Sequence, residues 1–116
     1  MNLSYDTIRE LDKLGFKIIP GKTFHIDTFL KWMEEEHKVY FEIIPPEKKR
    51  GEWRVNLFEY LYEDKNIIKE SRGSSKTKAI EDGINNLIHL VKSRKLFASE
   101  WIDCQKQTQT NPTHQF

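Results

Sequence analysis

The sequence predicts an α+β fold, a three-stranded antiparallel meander with N-terminal helices and a C-terminal helix packed on one face, in short an α-β-β-β-α sandwich. Three observations predict it. Apolar residues recur with a helical period in two separate stretches, around residues 24–36 and 76–91. Between them, β-branched and aromatic residues concentrate in 38–44, 53–62 and 67–72, each run bounded by Pro, Gly or charged turn residues. The links between these runs are short, so consecutive strands pair with their neighbours and the helices share the remaining face.

Ser4 is placed to cap a first short helix with Tyr5, Ile8 and Leu11 on one face, and Gly15 supplies the stop. Phe16-Lys17-Ile18 alternates briefly before the Pro20-Gly21 turn. From Thr23, read as an N-cap, Ile26, Phe29, Leu30 and Met33 fall at i, i+3, i+4 and i+7, which predicts a second helix over roughly 24–36. A first strand over 38–44 must end at Pro45-Pro46, since proline cannot continue a ladder.

In the second strand Trp53, Val55 and Leu57 share one face, whereas Phe58, Tyr60 and Tyr62 lie on the other. This change near Leu57 predicts a bulge or a strand covered on both sides. Glu63 to Asn66 reads as a hairpin turn and 67–72 as the third strand. Gly73-Ser74-Ser75 then leads into the last helix, where Ala79, Ile80, Gly83, Ile84, Leu87, Ile88 and Val91 form one apolar face. Lys92, Arg94 and Lys95 are expected near its C-terminus, and Leu96, Phe97, Trp101 and Ile102 to extend it or fold back on it. Gly83 is expected where the helix presses closest to a strand.

Of 116 residues 37% are hydrophobic and 12% aromatic, enough to bury a core in one domain, taken as residues 1–104. The Gln- and Thr-rich segment 105–116 is expected to be a disordered tail. One cysteine, Cys104, excludes an internal disulfide and a thiolate zinc site. The N-terminus lacks an apolar run, and nothing approaches the ~18 apolar residues of a membrane span. The expectation is a cytoplasmic protein without membrane, metal or cofactor.

Net charge is only +1, but it is unevenly spread. Residues 1–46 carry six basic and eight acidic side chains, and residues 47–78 carry nine and six, so the basic excess lies in the middle of the chain. Lys48, Lys49 and Arg50, with Arg54, Arg72, Lys76 and Lys78, form the one grouping of chemical interest. If the 47–51 loop meets the start of the last helix, they make a cationic surface suited to phosphate, although Glu47, Glu52 and Glu70 dilute it. The open sheet face presents either Trp53 or the pair Tyr60 and Tyr62 to a partner.

No phosphate loop, nucleophile elbow or metal-spaced histidine pair is present. His25, His37, His89 and His114 fall on different elements and read as surface or core-edge residues. Glu34, Glu35 and Glu36 are consecutive on a helix and cannot converge on one atom. The chain therefore reads as a non-enzymatic interaction module that binds a protein partner or itself. Nucleic acid is the alternative partner. The candidate contact residues are Lys48, Lys49, Arg50, Trp53, Tyr60, Tyr62, Arg72, Lys76 and Lys78.

Two resemblances add expectations. Three strands followed by a helix opening Ser75-Lys76-Thr77-Lys78-Ala79 resemble the C-terminal part of double-stranded-RNA-binding domains, where a Lys-rich helix start sits on phosphates. The match covers about 45 residues, and that family's Gly-Pro-x-His loop is missing here. The segment Phe29-Leu30-Lys31-Trp32-Met33-Glu34 running into Tyr40-Phe41-Glu42-Ile43, then Ala79 to Gly83-Ile84, is similar to small uncharacterised proteins encoded by bacterial phages, prophages and mobile elements. That resemblance spans about 60 residues, implies an accessory role, and brings no catalytic residue with it.

Overall fold

The computed structural model describes residues 2–19 and 23–109, with side-chain surroundings for 2–19 and 23–96. The elements are α1 (Tyr5–Lys13), α2 (Ile26–His37), β1 (Tyr40–Ile44), β2 (Trp53–Leu61), β3 (Asp64–Gly73) and α3 (Lys76–Gln109). The strands form one antiparallel sheet in the order β1-β2-β3. Helix α3 lies across β2 and β3, α1 packs on α3, and α2 packs beside β1. Among the described residues no helix is long and apolar enough to cross a membrane.

Helix α1 starts where Ser4 accepts a hydrogen bond from the Thr7 amide, and the chain reverses at Gly15, whose φ of 104° suits glycine. Its buried face is Thr7 and Leu11, while Tyr5 is solvent-exposed, so the apolar stripe expected to include Tyr5 is rotated. Polar contacts explain the rotation. Thr7 donates its hydroxyl to Asn85 of α3 at 3.2 Å, and the Ser4 amide reaches Glu81 at 3.3 Å, which turns the Thr7 side of α1 toward α3.

Helix α2 begins at Ile26, with His25 rather than Thr23 at its N-cap and no side-chain capping bond. Packing fixes this end instead. Phe24 and Phe29 are buried against each other at 5.6 Å between ring centroids, and Phe16 meets Phe29 edge-on at 5.5 Å. Lys38 adopts a left-handed φ of 56° and ends the helix, so β1 starts at Tyr40, two residues later than expected.

The core joins Leu11, Phe29, Met33, Val39, Val55 and Leu57 to Ala79, Ile80, Ile84, Leu87, Ile88 and Val91 of α3. Each large apolar side chain here contributes about 1.5–3 kcal/mol by leaving water. The register between β2 and β3 shifts between Leu57 and Phe58: Leu57 faces Lys69, Phe58 faces Ile67, and Ile68 is the additional residue. The bulge lets Ile68 pack against the core while Ile67 points away from it. A bulge thus occurs at the expected level, but its extra residue is in β3 rather than β2, and one face of β2 stays open. Val55 and Leu57 lie under α3, and the buried Phe58 lies on the opposite face outside the core cluster.

The β2–β3 connection is tighter than expected. Only Tyr62 and Glu63 separate the strands, Tyr62 taking a φ of 61°, and Asp64 to Asn66 already pair with β2. Helix α3, capped by Ser75 accepting from the Lys78 amide at 3.2 Å, continues well past its last core residue, Val91, to Gln109. Lys92 and Arg94 are consequently mid-helix and serve as ties rather than dipole caps. Lys92 pairs with Glu10 of α1 at 2.6 Å and Arg94 with Glu59 of β2 at 2.5 Å. Helix α3 thus runs into the segment expected to fray, and residues 110–116 lie outside the described residues.

Candidate functional site

The meander places the two ends of the sheet in different chemical settings. β1 runs toward the 45–52 loop, β2 returns, and β3 runs back to the same end, where Trp53 faces Gly73. The basic loop and the start of α3 therefore share one end of the sheet. Tyr60 and Tyr62 lie at the other, beside the β2–β3 turn. The nine candidate contact residues accordingly separate into two groups at opposite ends of the sheet.

At the loop end, Lys48 to Gly51 close a turn, with the Gly51 amide donating to the Lys48 carbonyl at 2.9 Å and Lys49 and Arg50 at its exposed tip. Lys48, Arg54 and Arg72 border one surface depression together with Pro45, Pro46, Glu47, Gly51 and Glu52. Arg54 and Arg72 face each other across β2 and β3 on the outer side of the sheet. Arg72 is held in place by Glu70, whose carboxylate accepts from the guanidinium at 2.6 Å and raises its pKa above the ordinary arginine value. Lys76 lies 5.7 Å from the Trp53 ring, on the helix-covered side, as a cation over an aromatic face. Trp53 is thus half-buried beneath the helix start and is not part of the open face.

This end gathers Lys48, Lys49, Arg50, Arg54, Arg72, Lys76 and Lys78 against Glu47, Glu52 and Glu70, a local excess of four positive charges in a chain whose total is +1. Ser74, Ser75 and the Lys76 to Lys78 side chains are exposed, and the first turn of α3 carries no acidic residue. The helix dipole therefore adds to the local positive field.

At the turn end, the outer sheet face carries an aromatic group. Tyr40 stacks on Phe58 with 5.5 Å between centroids, and Tyr60 meets both rings edge-on at 5.3 and 5.6 Å. The Lys65 ammonium lies 4.5 Å over the Phe58 ring and forms an ion pair with Glu42. Tyr60 is 54% exposed and Ile67 52%, and the fully exposed Tyr62 follows in the adjoining turn, so apolar side chains meet solvent at this end of the outer face. Sequence reading singled out Tyr60 and Tyr62 but missed Tyr40, Phe58, Lys65 and Ile67. The strand parity of Phe58 was legible, whereas its neighbours depended on the pairing register.

One polar atom between the two groups has no partner. Asn56, 5% exposed, sits on the outer face between Glu42 and Glu70, and its Oδ1 accepts no hydrogen bond. Among the described residues, no group of three or more His, Cys, Asp or Glu side chains is placed to hold a metal ion. Comparison of the chain with protein-family models, with curated proteins and with solved structures gives no match.

Proposed function

We propose that the chain is a non-enzymatic interaction module that grips the phosphate backbone of a nucleic acid duplex at the loop end of its sheet. The observation that carries this reading is the shared position of the Lys48-Lys49-Arg50 turn and the Lys76 to Lys78 start of α3. Two cationic elements on one end span successive phosphates, and the exposed amide end of α3 favours anions between them. The similarity of Ser75 to Ala79 to the helix start of double-stranded-RNA-binding domains supports duplex RNA as the first ligand to test. A cytoplasmic accessory role of the kind carried by phages and mobile elements belongs to the same proposal.

Fluorescence anisotropy of the full chain with labelled RNA and DNA duplexes tests the reading. Four phosphate contacts predict a slope of roughly −3.6 in log affinity against log salt, hence a loss of about a hundredfold between 50 and 200 mM salt. Absence of binding to either duplex at 25 mM salt, or binding that ignores salt, defeats it. A protein partner or self-association is the second reading, supported by the aromatic group at the opposite end of the sheet.

A further inference from the structure

We infer that the outer sheet face receives a second copy of this chain, packed sheet against sheet with its strands reversed. This develops the self-association reading and uses none of the residues of the cationic turn or of the α3 start.

Edge pairing is the usual route for two open sheets, and both edges are guarded against it. β1 is short and stops at Pro45-Pro46. β3 carries Lys65, Lys69 and the bulge at Ile68. The outer face carries Tyr40, Phe58, Tyr60 and Ile67 at its turn end, crossed there by the Lys65 side chain that pairs with Glu42.

The order of groups along this face makes it complementary to its own copy. From the loop end the rows are Arg54 with Arg72, then Glu42 with Glu70, then Tyr40, Phe58 and Ile67, then Tyr60 with Lys65. A twofold axis through the aromatic row sets apolar on apolar and brings Glu70 opposite Lys65 of the second copy, twice. A strand-parallel copy, in which β3 lies over β1, would instead set Glu70 against Glu42. Lys65, which lies across Phe58 to reach Glu42 in the single chain, swings outward to Glu70 of the second copy and uncovers the ring.

Three strands at ~4.8 Å spacing and about six residues of length give a face of roughly 14 by 20 Å. That is less than the roughly 800 Å² per partner of a standard interface, so the pair forms weakly and only at high concentration.

Sedimentation velocity of the full chain from about 5 to 500 μM is the test. The expected result is a monomer–dimer equilibrium within that range. Ile67→Asp and Tyr60→Asp, both at exposed positions, should weaken it at least tenfold without changing the circular dichroism spectrum. Lys65→Glu and Glu70→Lys should each weaken it several-fold, and the double swap should restore it to within about twofold of the parent. These two residues do not touch within one chain, so only contact between copies gives that rescue. A chain that stays monomeric at 500 μM overturns the inference, as does a dimer indifferent to Ile67→Asp or a double swap without rescue.

Discussion

A Cβ atom built on Gly83 would lie 2.9 Å from Cγ1 of Val55, with the Phe41 ring and the Ser71 hydroxyl each at 3.4 Å. Glycine in a helix interior ordinarily costs about 1 kcal/mol relative to alanine. Here the missing side chain lets α3 settle directly on β2. Gly83→Ala is therefore expected to gain nothing in thermal stability, and Gly83→Leu to lose about 1–3 kcal/mol by overpacking. In a Val55→Ala background the same Gly83→Ala change should become stabilising, because the obstructing methyl is gone. A Gly83→Ala protein that melts several degrees above the parent would show that the helix does not press on this strand.

Ser71 ties the same interface through its hydroxyl, which lies 3.0 Å from the Ala79 carbonyl of α3 and 3.3 Å from the Val55 carbonyl of β2. The residue is 7% exposed, so water cannot replace these bonds. Ser71→Ala should cost about 1 kcal/mol, a drop of roughly 4–8 °C in melting temperature for a domain of this size. Ser71→Val should cost more, since its added methyl groups meet the closed space beside Gly83. Equal melting of parent and Ser71→Ala would show that the hydroxyl does not hold the interface.

Much of this interface was legible in the sequence because Ala79, Gly83, Leu87 and Val91 repeat with a helical period that nothing else in the chain contradicts. The meander was legible for a similar reason, since alternation, turn residues and short links all agree. In any three-stranded meander the first loop and the chain leaving the third strand lie at one end, so the topology alone places Lys48 to Arg50 and Lys76 to Lys78 at the same end of the sheet. What sequence could not supply was register. The bulge at Ile68 decides that Ile67 joins Phe58 on the outer face, and it arises from tertiary packing of Ile68. The exposure of Tyr5 escaped for the same kind of reason, because the hydrogen bonds from Thr7 and Ser4 to α3 outweigh an apolar stripe on a helix of nine residues.

The cationic end predicts how affinity divides between its two elements. Replacing Lys76 and Lys78 with Gln should flatten the salt dependence of duplex binding by about 0.9 for each phosphate left without its cation, and replacing Lys48, Lys49 and Arg50 should act similarly. Glu52→Gln, which removes a negative charge from the depression lined by Arg54 and Arg72, should tighten binding at low salt. Anisotropy titrations at several salt concentrations measure all three. A slope unchanged by either basic set would mean that the phosphate lies elsewhere.

His37 predicts a pH dependence of stability. It packs edge-on against Trp32 at 4.9 Å, its Nε2 is buried without a partner, and burial pushes its pKa below the ordinary histidine value. Glu36 opposes that shift, whereas Lys95 and Arg94 reinforce it. The native state thus binds fewer protons at this site than the unfolded chain, whose histidine titrates near 6.5. The contribution is fully present above that pH and falls away as pH drops through it, until the native imidazole also protonates. His37→Gln should narrow the difference in melting temperature between pH 7.5 and 5.5, and the His37 ring protons should titrate below the ~6.5 of a histidine in an unfolded chain. A His37 that titrates at or above about 6.5 would contradict the burial argument.

Asn56 is the clearest case in which the outer face gives up stability. Asparagine is depleted in strands, and this one buries an acceptor that nothing satisfies, between two carboxylates. An unpaired buried acceptor costs about 1–3 kcal/mol, whereas an apolar side chain of similar size in its place carries no such cost. Asn56→Val is therefore expected to raise stability by about 1 kcal/mol, seen as a melting temperature roughly 4–8 °C higher. Asn56→Asp should act in the opposite direction, because a third carboxylate would lie between Glu42 and Glu70 in a place shielded from water. Asp keeps the size and shape of Asn, so a loss in Asn56→Asp reports charge rather than fit. If Asn56→Val instead melts below the parent, the amide is satisfied by a partner that supports the sheet. The outer face would then be held as firmly as the helix-covered one.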